Sequence, residues 1–197
     1  MVVPLVQAVV AKVVLRNEFL YKPKIEDSAK RAHAMKNKII YLFTLISSIG
    51  FAQDSISDVL KKFNSESIPY ISVQELAMPK TDAILLDARE LNEFEVSHLK
   101  NGIHVGYDDF KIATITETLK DKTAKIVVYC SLGIRSETIA EQLKKEGYTN
   151  VFNLFGGIFE WKNNNFKVYN AKGETENVHA YSKTWGKWLL KGNKIYD

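Results

Sequence analysis

Lys125-Ile126-Val127-Val128-Tyr129-Cys130-Ser131-Leu132-Gly133-Ile134-Arg135-Ser136 decides the fold. Behind its lysine comes a short continuous apolar run, the pattern of a strand buried on both faces of a sheet. Residues 136–146 then put Ile139, Ala140 and Leu143 on one helical face, and Gly147 ends that helix as a C-cap. Between strand and helix lies a Gly-containing loop that opens with the chain's one cysteine.

The same alternation extends in both directions. Upstream, residues 54–63 carry Ile56, Val59, Leu60 and Phe63 at helical spacing. Residues 70–72 read as a short strand, 73–78 as a brief helix stopped by Pro79, and 83–86 as a buried apolar strand. A helix over 90–96, a strand over 103–105 and a helix over 110–119 follow. Downstream come a strand over 150–154, a Gly156-Gly157 turn and a short helix over 158–161. Alternating strands and helices predict an α/β fold with a mainly parallel sheet. Ligands of such sheets sit at the carboxyl ends of strands, and Cys130 occupies one of those ends.

A thiol is a good nucleophile only as thiolate. The helix after the loop turns its positive dipole end toward Cys130. The backbone N–H groups of Ser131, Leu132, Gly133, Ile134, Arg135 and Ser136 can curl into an anion nest. Arg135 adds a permanent charge, Gly133 allows the tight turn, and the Ser136 hydroxyl can cap the helix or donate into the cradle. Cys130 is thus the candidate nucleophile, with residues 131–136 as its binding loop. A free cysteine is otherwise often only a buried structural residue.

The loop resembles the C-x-x-G-x-R-S active-site loop of rhodanese-type sulfurtransferases. Leu86-Asp87-Ala88-Arg89 with Glu93-Phe94 resembles that family's D-x-R…E-F/Y signature. Residues 98–105 resemble its H-I-x-x-A-x-x-I stretch, and Leu154-Phe155-Gly156-Gly157 with Trp161 its L-x-G-G-x-x-x-W segment. The likeness covers residues 70–169 in order. It implies a rhodanese-like parallel five-stranded sheet with helices on both faces, typical of single-domain thiosulfate sulfurtransferases. It also implies that Cys130 accepts a sulfane sulfur as a persulfide and passes it to a nucleophilic acceptor. The donor would be thiosulfate or a persulfide, and the acceptor a thiol or cyanide. No metal or organic cofactor is implied. Four residues separate Cys130 from Arg135, where related phosphatases use five for a wider, phosphate-sized cradle. Two alternatives stand beside this reading: a non-catalytic rhodanese-like binding or sulfur-carrier module, and a cysteine phosphatase or arsenate reductase. Where thiosulfate-using loops of the family often carry a basic residue just after the cysteine, Ser131 and Leu132 are neutral, which leaves a less charged or protein-borne donor open. Asn165 and Lys167 stand near positions where the family usually has glycine and proline.

Other polar residues read as structure. Asp87 and Arg89 suit a supporting ion pair more than direct catalysis. Among His98, His104 and His179, only His104 invites a test as a base, and no zinc-ligand spacing exists. Gly156-Gly157 lacks the third glycine of a dinucleotide fingerprint.

The formal charge of +4 is unevenly spread. Residues 1–52 hold 8 of the 27 basic and 3 of the 23 acidic residues, which leaves 19 basic against 20 acidic from residue 53 onward. A near-neutral domain does not suggest a nucleic-acid partner. Met35-Lys36-Asn37-Lys38, the apolar stretch 39–49 and Gly50-Phe51-Ala52 match a basic region, an apolar core of about 7–15 residues and a small-x-small cleavage site. The expected organisation is a doubtful N-terminal extension (1–34), a signal peptide (35–52), a helical lead-in (53–69), the rhodanese-like domain (70–169) and an aromatic tail packed on it (170–197). Cleavage after Ala52 would deliver an exported, periplasmic monomer with no membrane span. In the tail, residues 170–177 read as a polar loop, Trp185, Trp188 and Leu189 as one helical face, and Gly192-Asn193 as a turn before a last strand.

Overall fold

The structure, a computed structural model, describes residues 55–197. The segments read above as an N-terminal extension and signal peptide lie outside the described residues.

Five parallel strands form the central sheet: β1 (Tyr70–Ile71), β2 (Ile84–Asp87), β3 (Ile103–His104), β4 (Ile126–Tyr129) and β5 (Val151–Leu154), in the order β1-β5-β4-β2-β3. Every residue of β4 is buried, as its unbroken apolar run requires of a central strand. Its side chains alternate between two cores. Ile126 and Val128 join Cys130 in one, and Val127 and Tyr129 point into the other.

Helices cover both faces. α4 (Ile112–Thr118) and α5 (Arg135–Lys145) supply Ile115, Ile139, Ala140 and Leu143 to the first core. α1 (Ile56–Phe63), α2 (Val73–Leu76) and α6 (Gly157–Asn163) supply Val59, Val73, Leu76, Ile158 and Phe159 to the second. α3 (Leu91–Val96) follows β2. The elements expected between residues 54 and 161 are all present, with ends shifted by at most two residues because helix caps and strand ends follow backbone bonding. α1, for instance, starts after Ser55, whose side chain forms a reciprocal capping box with Asp58. Gly147 has φ +89 and closes α5: its N–H bonds Lys144 O and the Tyr148 N–H bonds Leu143 O.

The tail differs from its expected form. Residues 170–177 are not one polar loop. β6 (Val168–Asn170) and β7 (Gly173–Thr175) make an antiparallel hairpin there, and β8 (Asn177–His179) begins at its end. Ala171 and Lys172 alone connect the hairpin strands, so the Asn- and Gly-rich composition marked its turn. Trp185, Trp188 and Leu189 do not share a long helix, since only one 3₁₀ turn forms, Gly186–Trp188. β8 pairs in parallel with β9 (Asn193–Ile195), and Val178, Ala180, Trp188 and Leu189 complete the second core. Among the described residues no helix is long and apolar enough to cross a membrane.

Candidate active site

Cys130 follows β4 directly, at the carboxyl edge of the sheet beside the end of β2. Its side chain is 2 % exposed and lines a cavity of about 160 Å³ with Ser131, Leu132, Ile134 and Arg135. The Gly133 N–H donates to Cys130 Sγ at 3.1 Å. The Ser136 Oγ lies 3.5 Å from the same sulfur and 2.8 Å from Asn153 Oδ1. A hydroxyl has one proton to donate. Ser136 therefore turns its proton to Asn153 or to the sulfur, and an ionised sulfur draws it away from the amide. Burial alone raises the Cys130 thiol pKa. The Arg135 charge and hydrogen bonds from Ser136 and the Gly133 amide outweigh it, leaving the thiol below its ordinary value.

The loop's backbone is held from below. Gly133 adopts φ +111, which glycine reaches without strain. The side-chain amides of Asn64 and Asn153 both donate to the Gly133 carbonyl at 2.8 Å and pin this conformation. Two of the unpaired N–H groups at the start of α6 serve the loop: Ile158 N–H bonds Cys130 O at 2.9 Å, and Phe159 N–H bonds Ser131 O at 3.2 Å. That contact needs Gly157, at φ +55, because a Cβ there would collide with the Cys130 and Ser131 carbonyls. The double glycine is thus the seat of the cradle.

Arg135 is the first residue of α5 and carries the site's cation. Its two terminal nitrogens clasp the Glu93 carboxylate at 2.6 and 2.8 Å, and Nη2 also donates to Ser131 Oγ at 3.1 Å. The Ser131 hydroxyl in turn donates to Glu93 Oε1 at 3.1 Å. Burial pushes the Glu93 carboxyl up, but the Arg135 hydrogen bond and charge prevail and hold it below the ordinary carboxylate range. For Arg135, burial opposes the charge and Glu93 restores it, so the guanidinium stays ionised.

Asp87 and Arg89 do not enter the cavity. They form a fully buried pair with Nη2–Oδ2 at 2.6 Å and Nε–Oδ1 at 2.9 Å. Arg89 also donates to Ser97 O at 2.6 Å and to Glu93 O at 3.4 Å, tying the end of β2 to Glu93 and to the C-terminal end of α3's segment. The pair reaches Glu93 through that residue's backbone carbonyl. His104 Nε2 contacts Arg89 O at 2.9 Å and His98 stacks on Phe94, so the observed contacts of both rings lie in the brace.

Three participants were not singled out for the site from the sequence. Glu93 was visible only as part of a signature. Tyr181 and Trp185, from the tail, line the cavity. The Tyr181 ring lies over the Arg135 guanidinium at 5.0 Å, and His179 Nδ1 stands 4.0 Å from Glu93. The concentration of aromatics in the tail was the available signal, but their place over the loop is a tertiary property.

A rhodanese-like domain profile matches residues 72–164, a span that holds β2 through β5 and the whole cysteine loop. A tRNA uridine(34) hydroxylase of Onion yellows phytoplasma (strain OY-M) is 36% identical over 99 residues, 47% of this chain and 32% of that protein. This chain therefore spans about a third of the length of that relative. Thiosulfate sulfurtransferase GlpE of Coxiella burnetii is 31% identical over 97 residues, 49% of this chain and 87% of the relative. The crystal structure of a thiosulfate sulfurtransferase from Pseudomonas aeruginosa aligns with a TM-score of 0.48 at 23% identity, over 62% of this chain and 23% of that one. With nearly the whole of a compact relative covered, and the profile lying over sheet and cysteine loop together, the chain belongs to the rhodanese-like domain family.

Proposed function

We propose that this protein is a sulfurtransferase that moves a sulfane sulfur through a persulfide on Cys130. The observation that carries the reading is the Gly133 N–H at 3.1 Å from a buried sulfur that opens onto a cavity. A backbone donor aimed at sulfur stabilises the thiolate and, after transfer, the persulfide anion.

The reaction is a two-step displacement. The Cys130 thiolate attacks the outer sulfur of the donor. A new S–S bond forms, the donor's own bond to that sulfur breaks, and the donor remnant leaves with the electron pair, as sulfite from thiosulfate or as a thiolate from a persulfide. A nucleophilic acceptor, cyanide or a thiolate, then attacks the outer sulfur and returns Cys130 to thiolate. Arg135 keeps Cys130 ionised, Glu93 keeps Arg135 in place, and the Asp87–Arg89 pair keeps Glu93 in place. The chemistry draws on side chains and main-chain amides alone.

Incubation with thiosulfate and cyanide, followed by intact-protein mass measurement, tests the reading. Thiocyanate production and a mass gain of one sulfur atom are expected, and both should vanish in Cys130→Ser. A protein that holds no extra sulfur under any donor is a binding module instead, and cleavage of an aryl phosphate would point to a phosphatase. We further propose that residues 35–52 direct export and that the working protein is a periplasmic monomer. N-terminal sequencing of the exported protein should find Gln53 first, and a start upstream of Met35 would overturn the export reading.

A further inference from the structure

The cavity over Cys130 is roofed by the tail, not by the loop alone. Leu132 and Ile134 from the loop and Tyr181 and Trp185 from the tail line it together. Both aromatics are held in place. Trp185 meets Phe63 edge-on at 5.6 Å and lies tilted against Trp188 at 5.5 Å, and its backbone N–H donates to the Ser182 hydroxyl at 3.3 Å. The Tyr181 N–H donates to His179 Nδ1 at 3.2 Å, which leaves the ring proton on Nε2, facing Asp197 Oδ1 at 3.3 Å. Parallel pairing of β8 with β9 clasps the roof segment at both ends.

The charge at the mouth is already spent. Arg135 is the cation among the cavity-lining residues, and both of its terminal nitrogens lie on Glu93 while its face lies under Tyr181. The Arg135 fork is engaged by Glu93, so it offers an incoming anion no second free pair of donors. A compact dianion such as thiosulfate finds no free guanidinium fork there and should load more slowly than an organic donor.

We infer that the Tyr181–Trp185 roof selects an organic sulfane-sulfur donor whose carbon body is apolar and about the size of one ring. The cavity volume of about 160 Å³ is close to that of an apolar protein cavity of about 150 Å³ that holds benzene. This inference rests on the proposed persulfide chemistry and names the donor class for that site. With benzenethiosulfonate as probe, the Cys130 thiolate attacks the outer sulfur. The S–S bond to cysteine forms, the bond to the sulfonyl sulfur breaks, and benzenesulfinate leaves with the electron pair.

The test compares single-turnover loading of Cys130, by mass, with benzenethiosulfonate, methanethiosulfonate and thiosulfate. Rates with a free small thiol correct for intrinsic reactivity. The corrected preference for the ring over the methyl donor should be about tenfold or more, the scale of one well-packed apolar group. Trp185→Ala should erase most of that preference by slowing benzenethiosulfonate loading far more than methanethiosulfonate loading, and Trp185→Leu should retain part of it. Tyr181→Ala, at a half-exposed position, gives a second reading if Trp185→Ala fails to fold. Equal corrected rates for ring and methyl donors, or a ring preference untouched by these variants, would overturn the inference and leave the sulfurtransferase reading standing. Failure of every donor to load Cys130 would remove both.

Discussion

Cys130 stands between opposing influences: burial disfavours its charged form, while Arg135, the Ser136 hydroxyl and the Gly133 amide favour it. The sum lies on the side of the thiolate, and that has a measurable sign. The rate of Cys130 alkylation by iodoacetamide should rise with pH and level off below the pH at which a free thiol does. As pH falls through the lowered thiol value, reactivity should be lost. Arg135→Gln removes the favourable charge, so the alkylation midpoint should move up. A midpoint unmoved in that variant would mean that the hydrogen bonds to sulfur ionise it without the arginine. Ser136→Ala is a milder change, because it removes one hydrogen bond and leaves both amide and arginine.

Two elements, α3 and α6, meet at the loop, and neither contains the nucleophile. α6 begins on two glycines at φ +71 and +55 so that its first N–H groups reach the Cys130 and Ser131 carbonyls. Gly157→Ala should therefore cost about 1–3 kcal/mol by forcing the helix away from the loop. Urea denaturation reads that loss, and persulfide loading should fall with it. α3 hangs from the Asp87–Arg89 pair. Arg89→Met leaves Asp87 buried without its partner and should destabilise the domain by about 3–5 kcal/mol in the same measurement. Legibility follows from how local each signal is. The apolar runs 83–86 and 125–129 announced β2 and β4 because a doubly buried strand needs nothing beyond its own residues. The loop was legible because Gly133 and Arg135 lie within five residues of Cys130. Glu93 is 42 residues from Arg135, and only the sheet order brings them together. The β6–β7 hairpin was missed because its asparagines and glycine serve equally well in a loop.

At the scale of the whole molecule, the segment after β5 is part of the machine rather than an appendage. Trp188 and Leu189 fill the second core, and the same stretch sets Tyr181 and Trp185 over the cavity. β9 is three residues long, yet it is the far anchor of that stretch, and Asp197 beyond it touches both His179 and Asn92. On the proposed reading, access to the Cys130 sulfur therefore depends on a distant clip. Deleting residues 193–197 removes no cavity-lining residue, but it frees one hinge of the lid. Limited proteolysis of that shortened chain should cut near Lys183 or Lys187, where the full chain resists. Its sulfur-loading step should become indifferent to donor shape while still depending on Cys130.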